Sequence, residues 1–177
     1  MCIDAEPARR VHEIVTEIDL PASAARVWVV LTDFASYRRW NPAIRSIDGV
    51  LAEGGRLRVN LRREVLQQRS PGALHALKGL AFRGWLALNG MSISVLVTKL
   101  LPERELRWVG RLPVPKMFEG EHFFRITDKR DGGVRFTQGE RYAGLLEPAF
   151  REAVDAINRD SMNAVNRALK GHLEAAG

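Results

Sequence analysis

The sequence predicts an α+β domain in which one strand and two short helices are followed by six strands and a long closing helix. Two observations carry that order. Residues 148–173 repeat at helical spacing, with Phe150, Val154, Ile157, Ser161, Val165, Ala168 and His172 on one stripe that Ala153, Ala164 and Leu169 widen. Ahead of them, residues 44–142 break into short alternating runs bounded by Gly, Pro and Asp, which is how strands and their turns read. A helix with one apolar face must be covered, and a chain that is otherwise mostly strand offers a sheet as the cover.

Each element follows from local chemistry. In residues 11–20, Ile14, Ile18 and Leu20 share one face with His12 and Thr16, while Glu13, Glu17 and Asp19 take the other, so this is a half-buried strand. Pro21 ends it, and Ser23 can cap a helix whose apolar face is Val27, Val30 and Leu31 with Trp28 and Phe34. Residues 33–41 make a second short helical turn, broken at Pro42. Strands are then expected at 44–50, 56–63, 91–101, 105–112, 118–127 and 134–142, the last two joined through Asp131-Gly132-Gly133. In the final helix Pro148 suits a first position, where no N–H is needed, and Glu147 brings negative charge to the positive end of the dipole. Residues 1–10 read as a flexible leader and 11–177 as a single domain. It carries an insertion at about 64–89, where Ser70-Pro71 opens a short apolar helix and the segment beginning at Trp85 turns back.

Composition narrows the function classes. No apolar run approaches the roughly 20 residues a bilayer requires, and the opening residues lack a secretory pattern, so a cytoplasmic protein is expected. The single cysteine, Cys2, excludes an internal disulfide and a multi-cysteine metal site. The four histidines have no metal-ligand spacing, the Gly-Gly pairs are turns rather than phosphate loops, and no Gly-x-Ser-x-Gly elbow occurs. Neither a metal nor a cofactor is therefore expected. The net charge of +6 is spread along the chain as arginine without a basic block, so a nucleic-acid partner is not expected either. Arg56, Arg58, Arg62, Arg107, Arg111, Arg135 and Arg141 alternate outward and give the outer sheet face a positive cast, interleaved with carboxylates such as Glu105.

The pleat points to a polar cluster. Closing the last hairpin with Ile126 opposite Val134 pairs Phe124 with Phe136, His122 with Gln138 and Gly120 with Glu140, all on the inward face. Tyr142 lies beyond them, and Trp108 is inward on the neighbouring strand. A buried carboxylate needs a partner or a shifted pKa. Glu140 beside His122 is thus a structural pair, the polar floor of a pocket, or an acid/base pair. Trp28 and Trp40 fit the core of the helical elbow, whereas Trp85 and Trp108 are better placed to touch a ligand.

The chain resembles the START-like superfamily, also called SRPBCC. The resemblance rests on the opening strand running into Pro21-Ala22-Ser23-Ala24-Ala25-Arg26-Val27-Trp28, on Asp33-Phe34 with Trp40-Asn41-Pro42, on Glu105-Leu106-Arg107-Trp108, and on Phe136-Thr137-Gln138-Gly139-Glu140 to Gly144. Within the superfamily it is similar to the polyketide cyclase/dehydrase and lipid-transport-like group, over about residues 11–173. The resemblance implies a helix-grip fold of antiparallel strands enclosing a cavity between sheet and C-terminal helix. The loops at 41–43 and 113–117 would rim its mouth, with the 64–89 segment as a lid. It further implies binding of a small hydrophobic or aromatic, lipid- or polyketide-like ligand. Trp85, Trp108, His122, Phe124, Phe136, Gln138, Glu140 and Tyr142 are the candidate contacts, and Leu57 and Val59 complete the apolar wall. A cyclase or dehydratase using the same cavity is the alternative, with His122 or Glu140 moving a proton. A partner-binding module on the basic outer face is a third reading.

Overall fold

A computed structural model describes residues 11–62, 92–111, 116–130 and 132–175, without the side chains of 149, 150, 152–154, 156 and 157. The leader, the 64–89 insertion with Trp85, and Asp131 lie outside the described residues. The chain runs β1 (His12–Leu20), α1 (Ala24–Thr32), a 3-10 turn (Phe34–Ser36), α2 (Tyr37–Trp40), β2 (Ile44–Gly49), β3 (Arg56–Leu61), β4 (Ser92–Leu101), β5 (Glu105–Arg111), β6 (Glu119–Asp128), β7 (Val134–Ala143) and α3 (Glu147–Ala175). The seven strands form one antiparallel sheet in the order β1-β7-β6-β5-β4-β3-β2. Strands β2 to β7 thus meander across the sheet, and β1 closes it beside β7. This is the expected α+β helix-grip architecture.

The elbow between β1 and β2 is held by local bonds of the expected kind. Ser23 Oγ accepts from the Arg26 amide at 3.3 Å and starts α1. Tyr37 donates its hydroxyl to the Leu31 carbonyl at 2.6 Å, and Asn41 Oδ1 accepts from the amides of Ala43 and Ile44 at 2.9 and 2.8 Å. Arg62, expected on the outer face, falls just past β3 and donates to the carbonyls of Asn41 and Arg38 instead.

The main core lies between the inner sheet face and the helices, where Val27, Leu31, Leu57, Leu106, Phe136 and Leu169 are each no more than 2% exposed. The buried side of α3 is Met162, Val165, Asn166, Leu169 and Leu173: Val165 and Leu169 are buried as expected, while 161, 168 and 172 are only partly covered and Met162, Asn166 and Leu173 beside them face the sheet. The stripe also has a buried asparagine near its centre, which an apolar pattern does not call for. Asn166 is acceptable there because Gln138 Nε2 donates to its Oδ1 at 2.7 Å and its own amide donates to Thr16 Oγ1 at 3.2 Å. The far end of α3 is capped by the Arg26 guanidinium, 2.8 Å from the Leu173 carbonyl.

The hairpin register differs from the expected one by two residues. Ile126 faces Phe136, Phe124 faces Gln138, His122 faces Glu140 and Gly120 faces Tyr142. The turn is tighter than assumed: Thr127 and Asp128 stay in the ladder, and the Lys129 amide closes the loop on the Gly133 carbonyl at 2.8 Å. A slip of two keeps every side chain on its face, since the pleat repeats at two.

The outer face holds a small core of its own. Phe123 is 1% exposed there, and it lies against Gly139 across the ladder, where an added Cβ would sit 2.5 Å from its ring. The guanidinium carbons of Arg107, Arg125 and Arg141 cover the ring at 5.4, 4.8 and 5.4 Å. Those arginines are themselves paired, Arg107 and Arg125 with Glu105 and Arg141 with Glu13. Arg111 and Arg135 likewise meet Glu119 and Asp19. The positive cast of this face is largely neutralised by interleaved carboxylates.

Candidate functional site

Ladder registers β5–β6 and β6–β7 run without a bulge, so the inward alternation is unbroken across the three strands. One row places Trp108, His122, Glu140 and Ile14 side by side, from β5 to β1. The row towards the turn holds Leu106, Phe124, Gln138 and Thr16, and the row on the other side holds Gly110, Gly120, Tyr142 and His12. The aromatic members form a continuous wall: Trp108 meets Phe124 edge-on at 5.1 Å, and Phe124 stacks on Phe136 at 6.0 Å.

His122 sits at the polar border of that wall. Its ring stacks on Trp108 at 5.8 Å and tilts against Phe124 at 4.5 Å. Nδ1 faces Glu140 Oε2 at 3.7 Å, an ion-pair distance rather than a closed hydrogen bond. Nε2 is buried and finds no hydrogen-bond partner among the described residues. Glu140 Oε2 also accepts from Asn158 Nδ2 of α3 at 3.0 Å, and the same amide contacts the Tyr142 hydroxyl. Burial, then the charge of Glu140 and the hydroxyl's bond to it, raise the Tyr142 pKa well above 10, with Asn158 pulling the other way. Tyr142 is therefore a neutral phenol throughout the physiological range. Behind it, Phe118 and His12 stack at 5.6 and 6.4 Å, and His12 Nε2 meets Asp155 Oδ1 of α3 at 2.6 Å.

Gly120 leaves the room this cluster needs. A Cβ there would lie 2.9 Å from Glu140 Oε1 and 3.3 Å from the Tyr142 ring. The structure thus brings Trp108, His122, Phe124, Phe136, Glu140 and Tyr142 together on one face. Gln138 shares the face but is 2% exposed, and its amide donates to the Met162 carbonyl and to Asn166, so it ties sheet to helix. Sequence reasoning missed Asn158. Its one signal was a polar residue on the sheet-facing side of α3, spaced as Met162 and Val165 are.

A family model described as polyketide cyclase/dehydrase and lipid transport matches residues 11–174. The chain belongs to that family. Solved structures share the family's fold at low identity. A START superfamily protein from Mycobacterium smegmatis is 16% identical, with 94% of this chain and 99% of that one covered, at a TM-score of 0.61. An aromatase/cyclase from a Streptomyces species is 14% identical over 93% and 94%, at 0.62. A norcoclaurine synthase point mutant from Thalictrum flavum, in complex with a transition-state analogue, is 11% identical over 97% and 99%, at 0.63. Comparison with curated proteins finds no match. Among the described residues no group of three or more His, Cys, Asp and Glu is placed to hold a metal, and no helix is long and apolar enough to cross a membrane.

Proposed function

We propose that the chain binds a small hydrophobic or aromatic molecule between the inner sheet face and α3. Trp108, Phe124 and Phe136 would form the apolar wall and His122 the polar contact, with Glu140 and Tyr142 behind it. The observation that carries this reading is the buried Nε2 of His122, without a hydrogen-bond partner among the described residues, at the edge of an aromatic wall. Leaving such a nitrogen unsatisfied costs about 1–3 kcal/mol, and a ligand group bonded to it would recover that. Membership of a family named for cyclases, dehydrases and lipid transport supports the same reading, as does likeness in fold to an aromatase/cyclase. Trp85, outside the described residues, is kept as a further contact from the insertion. Gln138 is reassigned from ligand contact to structural tie, because both its amide hydrogens are engaged with α3.

The test is a titration of the protein with a polycyclic aromatic ketone and, separately, with a long-chain fatty acid, followed by tryptophan fluorescence. Saturable one-to-one binding is expected for at least one of them. Trp108→Ala and the milder Phe136→Leu should weaken it, while Arg135→Ala on the outer face should not. Absence of saturable binding to both classes would overturn the reading.

A further inference from the structure

We propose that Gly110 is a specificity-determining residue of the pocket: the flat face of a ring ligand rests on its bare backbone, and the missing side chain selects planar ligands. The inference rests on the binding reading above and specifies the shape of ligand that the site takes.

It starts from what each strand glycine is for. A glycine inside a strand weakens it, through backbone entropy and the lack of a side chain to pack, and so marks a bulge, a bend or a close approach to the backbone. The described strands hold four, Gly49, Gly110, Gly120 and Gly139. Gly49 has a φ of +125°, where other residues are strained. At Gly139 an added Cβ would sit 2.5 Å from the Phe123 ring, and at Gly120 it would sit 2.9 Å from Glu140 Oε1. Gly110 has no such reason. Its φ lies outside the left-handed region, and its pairing with Val95 and Gly120 is regular. Among the described residues an added Cβ would meet only Ile93 Cγ2 at 3.4 Å and Val95 Cγ1 at 3.6 Å, which are ordinary contacts. The fold would accept alanine at this position, so the glycine serves something that lies in front of it.

That space belongs to the pocket face. Gly110 is half-buried there, in the row next to Trp108 and His122. Ile93 and Val95 of β4 stand on one side of it, while Glu140 and Tyr142 of β7 lean over Gly120 on the other. Strands β4 and β7 are three spacings apart, about 14 Å, and side chains at both edges narrow the gap to about one aromatic ring. A second observation points to the same place. His122 keeps a buried Nε2 with no hydrogen-bond partner among the described residues, and adjacent rows on one face are about 7 Å apart. A ring carrying one polar substituent spans that distance. A planar ligand can cover the bare peptide face, whereas a twisted one is held off by its second ring.

The test titrates the full chain with fluorenone, a flat three-ring ketone, and with benzophenone, which lacks only the bond that flattens it. A long-chain fatty acid is the third probe. Affinity is read by tryptophan fluorescence and placement by NMR of the glycine Hα resonances. Wild type should bind fluorenone at least tenfold tighter than benzophenone. Bound fluorenone should move the Gly110 resonances upfield by its ring current and leave those of Gly139, on the outer face, in place. Gly110→Ala should melt no lower than wild type and should lose the tenfold preference. Equal affinity for the two ketones, unmoved Gly110 resonances with fluorenone bound, an alanine variant that keeps the preference, or one that melts well below wild type would each overturn the inference and leave the binding reading standing. Binding of the fatty acid alone would do the same. Binding of none of the three would overturn the inference together with the site it rests on. The affinity ratio and the NMR shift need wild-type protein alone, so a variant that fails to fold does not blunt them.

Discussion

Replacing Glu105 with Gln should destabilise the protein by roughly 2–3 kcal/mol at neutral pH, and by progressively less in acid. Glu105 is 8% exposed on the outer face and is reached by Lys99 Nζ at 2.5 Å, Arg107 Nη2 at 2.6 Å and Arg125 Nε at 3.1 Å. Burial alone would raise its pKa. The hydrogen bonds from Lys99, Arg107 and Arg125 overcome that and hold it at about 2, against an ordinary 4.5. At about 1.36 kcal/mol per tenfold change in proton affinity, the displacement corresponds to roughly 3 kcal/mol. The partial exposure of Lys99 and Arg125, 45% and 42%, trims this towards 2. Because the folded pKa lies below the unfolded one, the stabilisation is present above about pH 4.5 and disappears as the pH falls towards about 2. Glutamine cannot titrate, so its stability lacks this component at every pH. Urea denaturation of both proteins in steps from pH 7 to pH 2, at constant m, should show a gap that closes in acid. Parallel profiles, or a gap under about 0.5 kcal/mol at pH 7, would refute the argument.

Phe123→Ala should cost about 3–5 kcal/mol although the ring is on the outer face, because it opens a hole beneath three guanidiniums and beside Gly139; a loss under about 1 kcal/mol in chemical denaturation would show that the arginine canopy does not bury it. Gln138→Leu should cost about 2–3 kcal/mol by leaving Asn166 short of a donor, and hydrogen exchange should quicken around Met162 and Asn166 while α1 keeps its protection. Gly120→Ala should cost only about 1 kcal/mol, since the flexible Glu140 carboxylate can swing aside from the new methyl and the buried Tyr142 ring, 3.3 Å away, has to give by only a few tenths of an ångström. It should nonetheless weaken aromatic-ligand binding at least tenfold; normal binding would separate Glu140 from the site. Both tyrosines of the chain are buried, and burial before all else raises their pKa values. Absorbance near 295 nm should therefore stay flat beyond pH 10 and then rise for both residues in one step with unfolding. The sign agrees: a folded pKa raised above the unfolded one contributes stability below about pH 10 that is lost as the pH climbs. A tyrosine ionising near pH 10 in folded protein would contradict the buried placement.

The sequence by itself determined the order of elements and the inner face. Alternation in β1, β6 and β7 assigned Ile14, Phe124 and Phe136 inward, and His122 and Glu140 with them, because a period of two survives any even slip in register. The start of α1 at Ser23 and the turn at Pro42 were equally legible, since a cap and a missing N–H act within a few residues. Tertiary structure decided what depends on partners far along the chain. It set His122 directly opposite Glu140, a pairing that hung on how tightly the loop before Gly133 closes. It brought Asn158 onto Glu140 and Asn166 onto Gln138, which no count of apolar residues could place, because a polar group is tolerated inside only where a specific donor or acceptor meets it. It buried Phe123 on the nominally solvated face, because the glycine opposite and two of the three arginines over the ring, Arg107 and Arg141, come from neighbouring strands. Pattern along the chain assigns faces; which side chains are satisfied on those faces is decided only when the strands and α3 come together.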